Sequence, residues 1–108
     1  MTELGERMLT MQVVHDATTT RIIPVGEIDM ASANTFETVA EQVVLAKPQC
    51  IELDLAAVDF IDSSGLRSIV QLRNRAKLEG ITLRATGLSP AAQRILELTG
   101  LIDELRRS

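Results

Sequence analysis

Val58-Asp59-Phe60-Ile61-Asp62-Ser63-Ser64-Gly65-Leu66 is the stretch on which the fold turns. Before it, Ile51, Leu53 and Leu55 alternate with Glu52 and Asp54, a period of two that predicts a strand with one apolar and one charged face. After it, Leu66, Ile69, Val70, Leu72 and Ala76 recur at helical spacing, and Gly80 closes that helix as a C-terminal cap. Two hydroxyls flanked by an acid and a glycine therefore stand where a strand ends and a helix opens. In open α/β sheets that edge carries ligands and functional loops. Either Ser63 or Ser64 is expected to cap the helix by accepting from its first free N–H groups, while Gly65 relaxes the turn. A helix needs only one such cap, so local physics leaves the task of the other hydroxyl open.

Working outward, Leu9, Met11 and Val13 alternate with Thr10 and Gln12, and Arg21 to Val25 follows the polar run Asp16-Ala-Thr-Thr-Thr20, which predicts a pair of strands in a hairpin. From Ser32 to Ala46, Phe36, Val39, Ala40, Val43 and Val44 form one helical stripe, ended by Pro48. Ile81, Leu83 and Ala85 alternate with Thr82, Arg84 and Thr86 as a further strand. Ser89-Pro90 then supplies an N-cap with proline at the first helical position, and the helix runs to Gly100 with Ile95, Leu96 and Leu98 expected in the core. Leu101, Ile102 and Leu105 make one more short turn or helix. The order is β-β-α-β-α-β-α: an α/β domain over residues 9–108 behind an N-terminal tail, residues 1–8. Helical crossovers make strands two, three and four parallel, and strand one pairs antiparallel with strand two. The expected architecture is a four-stranded mixed sheet with helices chiefly on one face. Thr10, Gln12, Glu52, Asp54, Thr82 and Arg84 populate the other face.

Composition narrows the function. The 108 residues suffice for one core, and 45% hydrophobic with 24% charged residues is an ordinary globular balance. A net charge of -4 without a basic block gives no field for a phosphate backbone, and Phe36 and Phe60 are the only aromatic side chains available for stacking on bases. No stretch reaches the roughly 18 apolar residues of a membrane span. Cys50 is alone, can form no internal disulfide, fits a reducing cytoplasm and reads as a small strand residue. His15, the one histidine, reads as a surface residue at a strand end. These features lead to the expectation of a cytoplasmic protein with no cofactor, no metal, no membrane and no direct nucleic-acid partner.

The run Asp59-Phe-Ile-Asp-Ser-Ser-Gly-Leu66, together with Gly26-Glu-Ile-Asp29 and Leu88-Ser-Pro-Ala91 leading to Leu98-Thr-Gly-Leu101, resembles the STAS family, in particular its stand-alone anti-sigma-factor antagonists. The resemblance runs from about Leu9 to Leu105 with the motifs in the family's order. It implies that Ser63 is the phosphoacceptor for an anti-sigma factor with a serine kinase fold. The unmodified protein would bind that partner and free a sigma factor; phosphorylation would end the binding and a serine phosphatase would restore it. It further implies that Asp29 lies close to the phosphorylated loop, where it either contacts the partner or caps the helix that follows. Asp62, Ser63, Ser64, Gly65 and Arg67 complete the implied contact set. Arg67 stands where the family often has a small residue, as a solvated charge or as a contact to phosphate or partner.

Two other readings compete. A nucleophile elbow needs Gly-x-Ser-x-Gly and a histidine base, but Phe60, Ile61 and Asp62 precede the serines and His15 lies before the sheet core. Gly-x-Gly-x-x-Gly and Gly-Lys-Ser/Thr nucleotide loops are absent too. An enzyme is therefore not expected. The second rival is a STAS scaffold, a subunit of a lipid-transport or stress-signalling assembly whose loop binds without being phosphorylated.

Overall fold

A computed structural model describes residues 9–107; the expected tail, residues 1–8, lies outside the described residues. The elements are β1 (Thr10–Asp16), β2 (Thr19–Ile28), α1 (Ala33–Leu45), β3 (Cys50–Leu55), β4 (Val58–Ile61), α2 (Ser63–Leu78), β5 (Thr82–Leu88), α3 (Pro90–Thr99) and α4 (Leu101–Arg107). β1 pairs antiparallel with β2, β2 pairs parallel with β3, and β3 pairs parallel with β5. The expected mixed sheet is therefore present, with five strands rather than four.

The additional strand is β4. β2 pairs with β3 over Thr19–Ile22, bulges between Gly26 and Glu27, and then pairs parallel with β4 through Glu27↔Phe60 and Ile28↔Ile61. The Gly26 N–H donates to the Ala57 carbonyl at 3.0 Å, which fastens the kink between β3 and β4 onto β2. Of its four residues, Val58 and Ile61 are buried while Asp59 and Phe60 are exposed, so no period of two betrays a strand.

Ile22, Ile51, Leu53, Leu55 and Leu83 project from the sheet into one core with Phe36, Val44, Ile69, Leu72, Leu96 and Leu105 of the helices. Across the opposite face, Glu52 accepts from Arg21 and Arg84. α1 and α2 are pinned together by polar contacts at their margin. Arg75 donates to both carboxylate oxygens of Glu41, at 3.0 and 2.7 Å, and the buried Ser68 hydroxyl donates to Glu37 at 2.6 Å. That two-pronged bond from Arg75 holds the Glu41 carboxyl below the usual carboxylate range, and the bond to Glu41 raises Arg75 in turn.

Ser89 caps α3 as expected, accepting from the Ala92 N–H at 3.1 Å, and Gly100 ends the helix in the left-handed conformation, φ 78°. Leu98, expected in the core, lies outside it. Leu96 is fully buried but Leu98 is 80% exposed, because α3 turns a narrower stripe inward than the leucine-rich run suggested. Ile95 is half-buried. Among the described residues no helix is long and apolar enough to cross a membrane.

Candidate functional site

The turn from β4 into α2 is built around Asp62, which is the N-cap of α2 with extended backbone, φ −101° and ψ −170°. Its Oδ1 accepts from the Gly65 N–H at 2.9 Å, three residues on, the geometry by which a capping side chain satisfies a free N–H of the first turn. Neither serine is the cap, contrary to expectation. Aspartate caps as well as serine does, and its second oxygen has a further use: Oδ2 accepts from the Met30 N–H at 3.2 Å. The Asp62 N–H donates to the Ile28 carbonyl at 3.3 Å. One residue thus ties the end of β2, the loop that follows it and the start of α2 into a single unit.

Gly65 has a different role from the one expected of it. It lies inside the first helical turn and is buried, and a β-carbon added to it would stand 2.1 Å from the Ile28 carbonyl oxygen. Its missing side chain lets α2 sit directly on the backbone of β2, which sets the height of the whole turn.

Ser63, the first residue of α2, is exposed; Ser64 is half-buried and its carbonyl lies 3.2 Å from the Ser68 hydroxyl. Arg67 is exposed one turn after Ser63, and residues four apart on a helix share a face, with β-carbons about 5–6 Å apart. An anion on Ser63 would therefore have the guanidinium of Arg67 within reach, and the end of a helix dipole beneath it.

Asp29 is brought to the same edge. Its Oδ1 accepts from the Ala31 and Ser32 N–H groups at 3.0 and 3.1 Å, closing the turn that leads into α1. The backbone N-cap of α1 is Ser32, whose side chain makes no capping bond to the helix. The Ser32 hydroxyl instead accepts from the Asp29 N–H at 2.9 Å and donates to the Glu27 carbonyl at 2.7 Å. Asp29 thus shapes the loop, and the loop's bond to Asp62 comes from the N–H of Met30, a residue that the sequence pattern did not single out. His15 lies away from this edge, exposed at the end of β1 and 3.1 Å from the Thr20 hydroxyl.

A family model for the STAS domain matches residues 10–107. The chain belongs to the STAS family. Among solved structures, it is similar to an anti-sigma factor antagonist from Mycobacterium paratuberculosis, with 30% sequence identity, a TM-score of 0.77, and coverage of 93% of this chain and 86% of that one. A protein of Thermotoga maritima provisionally assigned as an anti-sigma factor antagonist matches with a TM-score of 0.77 at 22% identity, over 91% of this chain and 83% of that one. The Bacillus cell fate determinant SpoIIAA, an anti-sigma factor antagonist, matches at 17% identity in both of its forms. For its unphosphorylated form the TM-score is 0.74 over 87% of this chain and 84% of that one; for its phosphorylated form it is 0.68 over 90% and 88%. These last two proteins share the fold with this STAS domain.

Proposed function

We propose that this STAS protein is an anti-sigma-factor antagonist of the cytoplasm, a binding module rather than an enzyme. It engages an anti-sigma factor of serine kinase fold and so releases a sigma factor. Phosphorylation of Ser63 ends that engagement and a serine phosphatase restores it. The observation that carries this reading is the division of labour in the turn. Asp62 supplies the cap of α2, so the exposed Ser63 hydroxyl is spared structural work at a site where the helix N-terminus favours an added anion. Similarity to the Mycobacterium paratuberculosis antagonist over 93% of the chain supports the same reading. Asp29, Asp62, Ser63, Ser64 and Arg67 form the proposed partner-facing set, with Gly65 beneath them as support.

The test is phosphotransfer. Each anti-sigma factor of serine kinase fold from the protein's own genome is incubated with it and Mg-ATP, and the product is mapped by mass spectrometry. One phosphate on Ser63, and none on the Ser63→Ala variant, is expected. Modification that persists at Ser64 in that variant moves the acceptor. Absence of incorporation from every kinase supports the unphosphorylated scaffold instead.

A further inference from the structure

Six large apolar side chains are exposed among the described residues: Val14, Met30, Leu45, Phe60, Leu78 and Leu98. Singly exposed apolar residues are normal on a soluble surface, so exposure alone assigns them nothing. Met30, 80% exposed, is set apart by how its backbone is mounted. Its own N–H is held by Asp62, the next two N–H groups by Asp29, and the Ser32 hydroxyl bridges the Asp29 N–H and the Glu27 carbonyl. The segment from Glu27 to Ser32 is pinned by polar contacts, and the residue at its tip is a long apolar side chain turned to solvent. The carboxylate that holds Met30 belongs to the residue directly before Ser63.

We infer that Met30 is the apolar anchor by which the anti-sigma factor acting on Ser63 grips this edge of the domain, an inference that rests on the function proposed above. A pinned backbone has little freedom left to lose on binding, while an unbranched thioether side chain adapts to the socket that receives it. Interfaces concentrate their energy in a few such anchors seated in partner pockets. Met30 is flanked by two partly exposed carboxylates, Asp29 and Asp62. The complementary surface is accordingly an apolar socket with a lysine- or arginine-bearing rim. Such an anchor accounts for recognition of the loop before any phosphate is present, which the exposed Ser63 hydroxyl alone does not.

Calorimetric titration of the unphosphorylated protein with the anti-sigma factor that phosphorylates Ser63 tests this. Met30→Ala is expected to weaken binding by about tenfold or more, and Met30→Leu by less than about threefold. Leu78→Ala serves as control: Leu78 is 79% exposed at the far end of α2, about 22 Å from Ser63 along the helix, and its loss is expected to leave affinity within about twofold. All three variants should melt as the parent does. An unchanged affinity for Met30→Ala, or an equal loss for Leu78→Ala, overturns the inference. So does a change in monomer–dimer distribution without a change in affinity, which would make a second copy the occupant. If no anti-sigma factor phosphorylates Ser63, the proposed function falls and this inference falls with it. If Ser63 is phosphorylated and Met30→Ala still binds normally, only the anchor is lost.

Discussion

Gly65 rests on the carbonyl of Ile28 so closely that a β-carbon at position 65 would lie 2.1 Å from that oxygen and 2.9 Å from its carbon. Both atoms are backbone of a strand held on two sides, by β1 along most of its length and by β4 at Ile28, so neither can yield without disturbing the sheet. Gly65→Ala is expected to destabilise the domain by at least about 3 kcal/mol, at the upper end of overpacking effects, or to shift α2 bodily. Urea unfolding measures the first outcome. The second would appear as loss of Ser63 phosphorylation in a protein that still folds.

Asp62 connects two loops with one carboxylate, and the two bonds can be separated. Asp62→Ala removes both and is expected to cost about 1–2 kcal/mol through loss of the cap. Asp62→Asn keeps one acceptor oxygen and caps nearly as well, but its amide nitrogen cannot accept from a second N–H. Amide hydrogen exchange reads the difference. In Asp62→Ala the Gly65 and Met30 amides should both exchange faster, whereas in Asp62→Asn the Met30 amide should do so while Gly65 stays protected.

Leu96 and Leu98 carry the same side chain two residues apart in α3, one fully buried and one 80% exposed. Leu96→Ala is expected to cost about 2–5 kcal/mol and Leu98→Ala less than about 0.5 kcal/mol. Thermal or urea unfolding of the two variants checks this; a comparable loss for Leu98→Ala would mean that α3 is rotated from the orientation described.

Glu41 gives stability a pH dependence. Its carboxyl is held below the ordinary value of 4.5 in the folded protein by the hydrogen bonds from Arg75. A depressed folded-state pKa means that the contribution is fully present above the unfolded value and is lost as pH falls through the folded one. Both side chains are partly exposed, so the effect is modest and screened by salt. The melting-temperature advantage of the parent over Glu41→Gln should shrink from neutral pH to about pH 3 and shrink again at high ionic strength. An advantage that is constant across this range would show that the pair does not titrate with folding.

Periodic elements were legible because burial imposes their period. Ile51, Leu53 and Leu55 announce β3, and Ser89-Pro90 announces α3 together with its cap. β4 was not legible, since four residues in the order buried, exposed, exposed, buried carry no period and their partner is the bulged half of β2. Within the site, the residue types that belong at a helix start were visible, but their assignment was not. Local sequence points to one of the two serines as the cap, whereas Asp62 holds it, and that choice is made with Met30, some thirty positions away, whose N–H rewards a side chain with two acceptor oxygens. The role of Gly65 is hidden from local sequence for the same reason: the atom that forbids a β-carbon belongs to Ile28, not to its own turn.

Phosphorylation of Ser63 is expected to abolish partner binding while leaving the domain folded and about equally stable. The phosphate brings about -1.5 to -2 charges and three acceptor oxygens. Three local effects act on it in the folded state. The N-terminus of α2 favours an anion by roughly 0.3–1 kcal/mol, and Arg67, one turn on and exposed, adds an attraction of about 0.2–0.5 kcal/mol typical of helical pairs. The Asp62 carboxylate next door opposes both, but Ser63 is exposed, so water screens the repulsion. The sum is small, and the cap bond from Asp62 to Gly65 has no reason to break. At an interface the same phosphate must shed its water, and a loss of only about 2.8 kcal/mol lowers affinity a hundredfold, which an unpaired buried phosphate readily exceeds. Paired thermal melts and partner titrations on the unmodified protein, the phosphoprotein and Ser63→Asp make the comparison. The expected pattern is unchanged melting with affinity reduced at least a hundredfold in the phosphoprotein, and a smaller reduction in Ser63→Asp, which carries less charge and fewer acceptor oxygens. A phosphoprotein that binds as tightly as the parent, or that loses binding because it has unfolded, rules out a switch confined to the surface.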